Sequence, residues 1–262
     1  MSVTAPVVVL PGDEIPPERL PQSRTGKKAL TLGPGLRHIP PRTIAATVPG
    51  PLGIDSRKNA IWVDNTSGRY IPRAADLVVA QVRRSTPEAY LCALAPHGRL
   101  ALLPHLAFAG ATRKTRPQLA AGALAYARVV AAPPAAEPEL DCGADPGGAA
   151  LGRGDGAAGL GPLRGGSVCD VSLGMARRLL AATRGGEDGL VLLEELGKVL
   201  KFEVAVGRNG RVWVDGEDTR ATVVVGRAIA KVDEEGLGPE GQRRVVRELV
   251  REVKGEGLKS GV

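Results

Sequence analysis

The chain has 262 residues and a formal net charge of +7, room for one large domain or two to three small ones and a balance that favours an anionic partner. With 35 Gly, 21 Pro and only two Trp, three Tyr and two Phe, its cores must be built from Ala, Val, Leu and Ile, which suits several modest modules. Cys92, Cys142 and Cys169 form no CxxC pair, excluding a disulfide scaffold and a cysteine zinc site. No basic segment precedes the short VVVL run and no apolar stretch approaches the roughly 18–20 residues that span a bilayer, so the chain reads as soluble and intracellular, with no membrane partner.

Residues 1–68 read as a small β-rich module. Val7–Leu10 is a strand ended by Pro11-Gly12-Asp13, Gly33-Pro34-Gly35-Leu36 is turn chemistry, and Ile61–Asp64 is a second short strand. Pro at 16, 17, 21, 34, 40, 41, 49 and 51 excludes long helices there.

Residues 69–142 carry nine basic and five acidic side chains. Leu77–Val82, Ala89–Ala95, Leu100–Leu103 and Leu124–Val130 are strand-length runs whose spacing predicts a small barrel of the OB type, a common binder of single-stranded nucleic acid. No Asp or Glu occurs between Glu88 and Glu137, and the long connection Pro104–Gly122 holds Arg113, Lys114 and Arg116. Three cations in four residues repel one another, and a loop does not need them for packing, whereas a phosphate backbone gives them a purpose. With Tyr70, Tyr90, Phe108 and Tyr126 the only aromatics at hand, sequence-tolerant backbone contact is expected over base reading.

Residues 143–166, dominated by Gly, Ala and Pro, read as a linker or inserted loop. From 167 to 262 the pattern alternates: strand Val168–Ser172, helices Leu173–Thr183 and Leu190–Leu196, strands Val199–Val206 and Arg211–Asp215, helices Thr219–Val232 and Glu240–Val253. The order β-α-α-β-β-α plus one helix is that of a KH-type domain. Gly207-Arg208-Asn209-Gly210 matches GxxG, the loop with which KH domains clamp a nucleic-acid backbone. Here it joins two strands, and Asn-Gly is a strong hairpin signal, so a structural turn is the first reading and a weak RNA contact the second.

Catalytic arrangements come up empty. His38, His97 and His105 are scattered, and there is no HExxH, GxSxG or Walker loop. Asp233-Glu234-Glu235 reads as a solvated charge run at a helix end, and Gly152-Arg-Gly-Asp-Gly156 as linker. The sequence predicts no cofactor and no metal.

The segments VVVLPGDE at the start, GPGLR at 33–37, WVD…RYIP at 62–72, FAGATRKTRP at 108–117, EPELDC at 137–142 and GRNGRVWV at 207–214 resemble the RNA exosome cap family of ribosomal RNA-processing protein 40, over nearly the whole chain and in order. The resemblance implies a multidomain α+β protein: an N-terminal β domain, an S1-like OB barrel and a C-terminal KH-type α/β domain. It implies a non-catalytic cap subunit that stabilises a ring of RNase PH-like proteins beside other cap subunits and guides single-stranded RNA toward an associated 3′-to-5′ exoribonuclease. It implies RNA contact at Arg113, Lys114 and Arg116, a GxNG turn packed between OB and KH domains, and residence in nucleus, nucleolus and cytoplasm. The chain departs from the family pattern at Ala75 before Asp76 and Ala123 after Gly122, where turn geometry is expected to change, and in a longer 143–166 stretch. A purely architectural subunit and a free-standing OB–KH RNA binder are the alternatives.

Overall fold

The computed structural model describes residues 7–21, 29–56, 59–65, 68–143, 159–183 and 190–256. The chain divides into two compact units, Met1–Gly68 and Arg69–Val262. Among the described residues, no helix is long and apolar enough to cross a membrane.

In the first unit, β1 (Val8–Val9) pairs antiparallel with β5 (Gly50–Asp55), β5 with β6 (Ala60–Val63), and β6 runs parallel to β2 (Thr31–Leu32). A hairpin of β3 (Leu36–Ile39) and β4 (Thr43–Ala46) completes it. The GPGL turn works only with glycine. Gly35 has φ +81°, and a Cβ there would meet the Val63 side chain at 2.8 Å. Val9, Ile15, Ile44, Ala46, Ile61 and Val63 form a small core.

The second unit opens with the barrel. Strands β7 (Leu77–Ser85), β8 (Ala89–Ala93) and β9 (Leu100–Pro104) form an antiparallel meander, and β10 (Leu124–Ala131) pairs with the other edge of β7. β11 (Glu139–Asp141) closes it, parallel to β9 and antiparallel to β10, giving the five-stranded closed topology of an OB fold. The strand runs read from the sequence are present; β11 is too short to show as a run. β12 (Gly161–Leu163) also pairs with β10, at Leu124–Tyr126. The end of the stretch read as linker is therefore part of the barrel sheet. Residues 144–158, with the Gly152–Gly156 motif, lie outside the described residues. Cys92 and Cys142 are buried in the barrel core, and burial pushes the Cys92 thiol up to about 12.

The C-terminal part runs β13 (Ser167–Asp170), α1 (Leu173–Thr183), α2 (Leu192–Gly197), β14 (Phe202–Gly207), β15 (Arg211–Gly216), α3 (Thr219–Glu235) and α4 (Pro239–Glu256), with sheet order β13-β15-β14. The expected strand from Val199 starts at Phe202, because the Val199 and Leu200 amides still donate to Leu196 O and prolong the α2 turn. Apolar side chains of all four helices pack with Val206, Val212 and Val214 into one core. Asp218 caps α3 by accepting from Ala221 N at 2.6 Å, and Gly236 ends it in the left-handed region. Asp233 corrects the reading of its charge run. Its carboxylate accepts from both the amide and the hydroxyl of Ser172 at 2.6 Å, and that hydroxyl in turn accepts from Met175 N at the start of α1. The carboxylate is a tie between two helices.

Ala75 sits at φ +69° in the turn closed by Asp76 N–H donating to Arg73 O at 3.1 Å, with its own amide donating to Val129 O at 2.8 Å. An exposed alanine gains no packing to offset a left-handed backbone, which costs an L-residue about 1–2 kcal/mol, more than the extra chain entropy of glycine. Ala75→Gly is expected to raise stability by about 0.5–1 kcal/mol in a denaturant titration; a loss would contradict this account of the turn.

Candidate nucleic-acid interface

The basic loop is a fixed frame with a displayed tip. On its entry limb, Ala107 O accepts from Cys142 N at 2.7 Å, and Phe108 is buried in the barrel core. At the tip, the Thr115 and Arg116 amides donate to Thr112 O at 3.2 and 2.9 Å, Thr112 N donates to Thr115 Oγ1 at 3.0 Å, and the two hydroxyls lie 2.8 Å apart. On the exit limb, the Tyr90 hydroxyl donates to Pro117 O at 2.7 Å and accepts from Leu119 N at 3.2 Å. Gly122 N–H then donates to Val82 O, and Val82 N–H to Ala123 O, both at 2.8 Å.

On that frame Arg113 and Lys114 are exposed and Arg116 half-buried. Among the described residues no carboxylate pairs with any of the three. Exposed Arg83 and Arg84 follow Val82 at a bulge where the β7–β8 register shifts, at the end of the barrel where the loop's exit limb rejoins β7. Between Asp76 and Glu137 the chain carries seven cations and a single acid, Glu88. A cationic, carboxylate-poor loop held in place on both limbs is suited to tracking phosphates.

The GxNG turn has a different environment. β8 pairs with β7 only as far as Ala93 opposite Gln81. Beyond that point the Asn209 carboxamide takes the vacant rungs: Oδ1 accepts from Val79 N at 3.2 Å, and Nδ2 donates to Val79 O at 2.9 Å and Leu94 O at 2.7 Å. Asn209 is 7 % exposed. Arg208 N–H donates to Leu77 O at 2.7 Å, and the Tyr126 hydroxyl donates to Val206 O at 3.0 Å. A Cβ on Gly207 would strike Val79 N, so glycine is needed for this approach. Ala205 and Trp213 of the C-terminal sheet belong to the barrel's own apolar cluster.

Arg208 is the one turn residue with an exposed side chain, and its Nε lies 3.2 Å from Asp76 Oδ1. Asp76 Oδ2 accepts from the Tyr70 hydroxyl at 3.0 Å and from Arg73 N at 3.2 Å. Burial, reinforced by the Asp76 carboxylate, raises the Tyr70 pKa and keeps its proton in that bond. The turn and the basic loop thus meet different stretches of β7, Leu77–Val79 and Val82. Among the described residues no group of three or more His, Cys, Asp or Glu could hold a metal ion.

The family model described as the exosome complex exonuclease Rrp40 N-terminal domain matches residues 30–69, and that of the exosome complex component RRP40 S1 domain matches 70–154. A KH domain model matches 166–220. The exosome complex component rrp40 of Schizosaccharomyces pombe is 35% identical over 243 residues, covering 91% of this chain and 94% of that one. The Drosophila melanogaster RRP40 is 35% identical over 237 residues, covering 90% and 93%. This chain belongs to the RRP40 family of exosome complex components.

The human RRP40 is 29% identical over 239 residues, covering 83% of this chain and 82% of its own. A crystal structure described as an exosome complex RNA-binding protein superposes with a TM-score of 0.53 at 20% identity, over 72% of this chain and 99% of that one, a likeness of fold. Within the RRP40-type S1 barrel, sequence reasoning passed over Arg83 and Arg84 and weighed Tyr90 only as an aromatic available for base contact. The two arginines fall between the runs Leu77–Val82 and Ala89–Ala95, where no motif marks them. Tyr90 sits in an apolar run whose period gives no sign that its hydroxyl leaves the core.

Asn209→Ala would strand Val79 N–H, Val79 O and Leu94 O in a buried seam. A loss of about 3 kcal/mol is expected from the unsatisfied groups, read as a lower midpoint of chemical unfolding; a change below about 1 kcal/mol would mean that water replaces the carboxamide.

Proposed function

We propose that this chain is a non-catalytic, RNA-binding cap subunit of the RNA exosome, stabilising an RNase PH-like ring and guiding RNA into its channel for 3′-to-5′ processing and degradation. Membership of the RRP40 family supports the assembly, and the loop of exposed Arg113 and Lys114 and half-buried Arg116, without a carboxylate partner among the described residues, supports the RNA contact. The work of hydrolysis falls to an associated exoribonuclease. The chain then acts in the nucleus and nucleolus and also in the cytoplasm.

A purely architectural role is the second reading, favoured by the burial of Asn209 in a turn that would otherwise be free to meet RNA. The two readings separate on one experiment. Replacing Arg113, Lys114 and Arg116 with Ala in the assembled complex is expected to weaken single-stranded RNA binding and to lower the slope of log affinity against log salt by about 2, at roughly 0.7 for each phosphate no longer neutralised. Unchanged affinity and slope would favour the architectural subunit. A tagged chain purified from its native cell at moderate salt should bring down RNase PH-like ring proteins and a 3′-exoribonuclease, as mass spectrometry would show. Recovery of the chain alone would point to a free-standing OB–KH binder.

A further inference from the structure

Tyr90 is 3 % exposed, and its ring is part of the barrel core. Its hydroxyl nevertheless makes both of its hydrogen bonds to the basic loop, donating to Pro117 O and accepting from Leu119 N. Pro117 directly follows Arg116, so this bond sits at the base of the cationic tip. The ring is held in turn. It lies edge-on to His105, with centroids 4.3 Å apart and planes at 89°. His105 Nε2 lies 2.8 Å from Thr86 O, so that nitrogen carries the hydrogen, and buried Nδ1 has no partner. His105 begins the same loop on its entry limb, and Thr86 belongs to the β7–β8 turn. One ring pair therefore fastens both limbs of the loop to the β7–β8 hairpin.

We infer that Tyr90 is a positioning residue for RNA contact: its hydroxyl fixes the exit limb and thereby the direction in which Arg113, Lys114 and Arg116 are presented. The inference rests on the reading of that loop as the RNA contact. The packing of the phenyl ring needs no hydroxyl, and neither partner of the hydroxyl lies in a strand, so the group serves the loop rather than the barrel. Without these two bonds the exit limb would be tied to the barrel only at Gly122 and Ala123; the loop would still carry its cations, but would have to order residues 117–121 when it meets a phosphate backbone.

Tyr90→Phe keeps the ring and removes the bonds. In the full chain, hydrogen exchange of the Leu119 amide should accelerate while strand amides of the barrel core keep their protection. In the assembled complex, affinity for a fluorescein-labelled oligouridine should fall about three- to ten-fold, the range of one hydrogen bond, with a shallower salt dependence. In a background carrying Arg113→Ala, Lys114→Ala and Arg116→Ala, Tyr90→Phe should cost no further affinity. Tyr126→Phe serves as the comparison, because its hydroxyl donates to Val206 O, away from the loop, and it should leave the affinity unchanged. Equal losses from Tyr90→Phe in both backgrounds, or an equal loss from Tyr126→Phe, would make the effect general loosening and overturn the inference. If the triple substitution weakens binding and Tyr90→Phe does not, the positioning role fails while the RNA contact stands. If the triple substitution itself leaves binding intact, the RNA reading fails and takes the positioning role with it.

Discussion

The side-chain amide of Asn209 makes three of the hydrogen bonds that join the two halves of the larger unit, beside those of Arg208 N–H and the Tyr126 hydroxyl. Where β7 and β8 diverge beyond Gln81 and Ala93, the main-chain groups of Val79 and Leu94 lose their strand partner. Buried peptide groups without partners are costly, and Asn209 meets both of Val79's groups and the Leu94 carbonyl at once. An asparagine is suited to this because its carboxamide presents a donor and an acceptor in the same arrangement as a peptide. Glycine at 207 lets the backbone come close enough, and Ala205 and Trp213 continue the contact as apolar packing. Barrel and C-terminal sheet are consequently one compact unit from Arg69 to Val262.

That constraint sets what the rest of the surface is free to do. In the ordinary KH arrangement a GxxG loop faces the nucleic acid, whereas here three of its four positions are buried and the exposed arginine faces Asp76. The barrel instead carries its cations on a loop held at Thr112, Thr115, Arg116, Pro117 and Leu119, with the Arg113 and Lys114 side chains displayed at its tip. Among the described residues no stacked aromatic platform lies beside them, an arrangement that suits phosphate groups more than bases.

Much of this architecture was legible in advance, and the failures have physical causes. Leu173–Thr183 is helical over the residues its pattern indicates, and the Asn-Gly signal between two apolar runs marks a real hairpin. The runs Leu77–Val82 and Leu124–Val130 are visible because most of their residues are apolar and buried, interrupted only by Gln81 and Arg128 among amide and charged side chains. Thr31–Leu32, Thr43–Ala46 and Glu139–Asp141 were not, since two to four residues hold too little periodicity among prolines and glycines. Gly161–Leu163 was hidden by its composition: it is a strand because β10 offers it an edge. Asp233 looked like solvated charge because its partner, Ser172, lies 61 residues away. The cations of the loop stood out by their spacing, while Tyr90 did not, because its hydroxyl reaches residues 27 and 29 positions along the chain.

The pairing of β12 also bears on how this chain could accommodate added length. Asp141 lies opposite Arg128 and Gly161 opposite Tyr126, so both ends of the intervening segment are seated on one strand, two residues apart. The exit and re-entry points are fixed by the same ladder, so they stay close together whatever length of chain runs between them. The remaining penalty is entropic and grows slowly, about 0.6 kcal/mol for each doubling of a loop. A longer segment at this junction therefore costs little in closing its ends, which the β10 ladder already holds together.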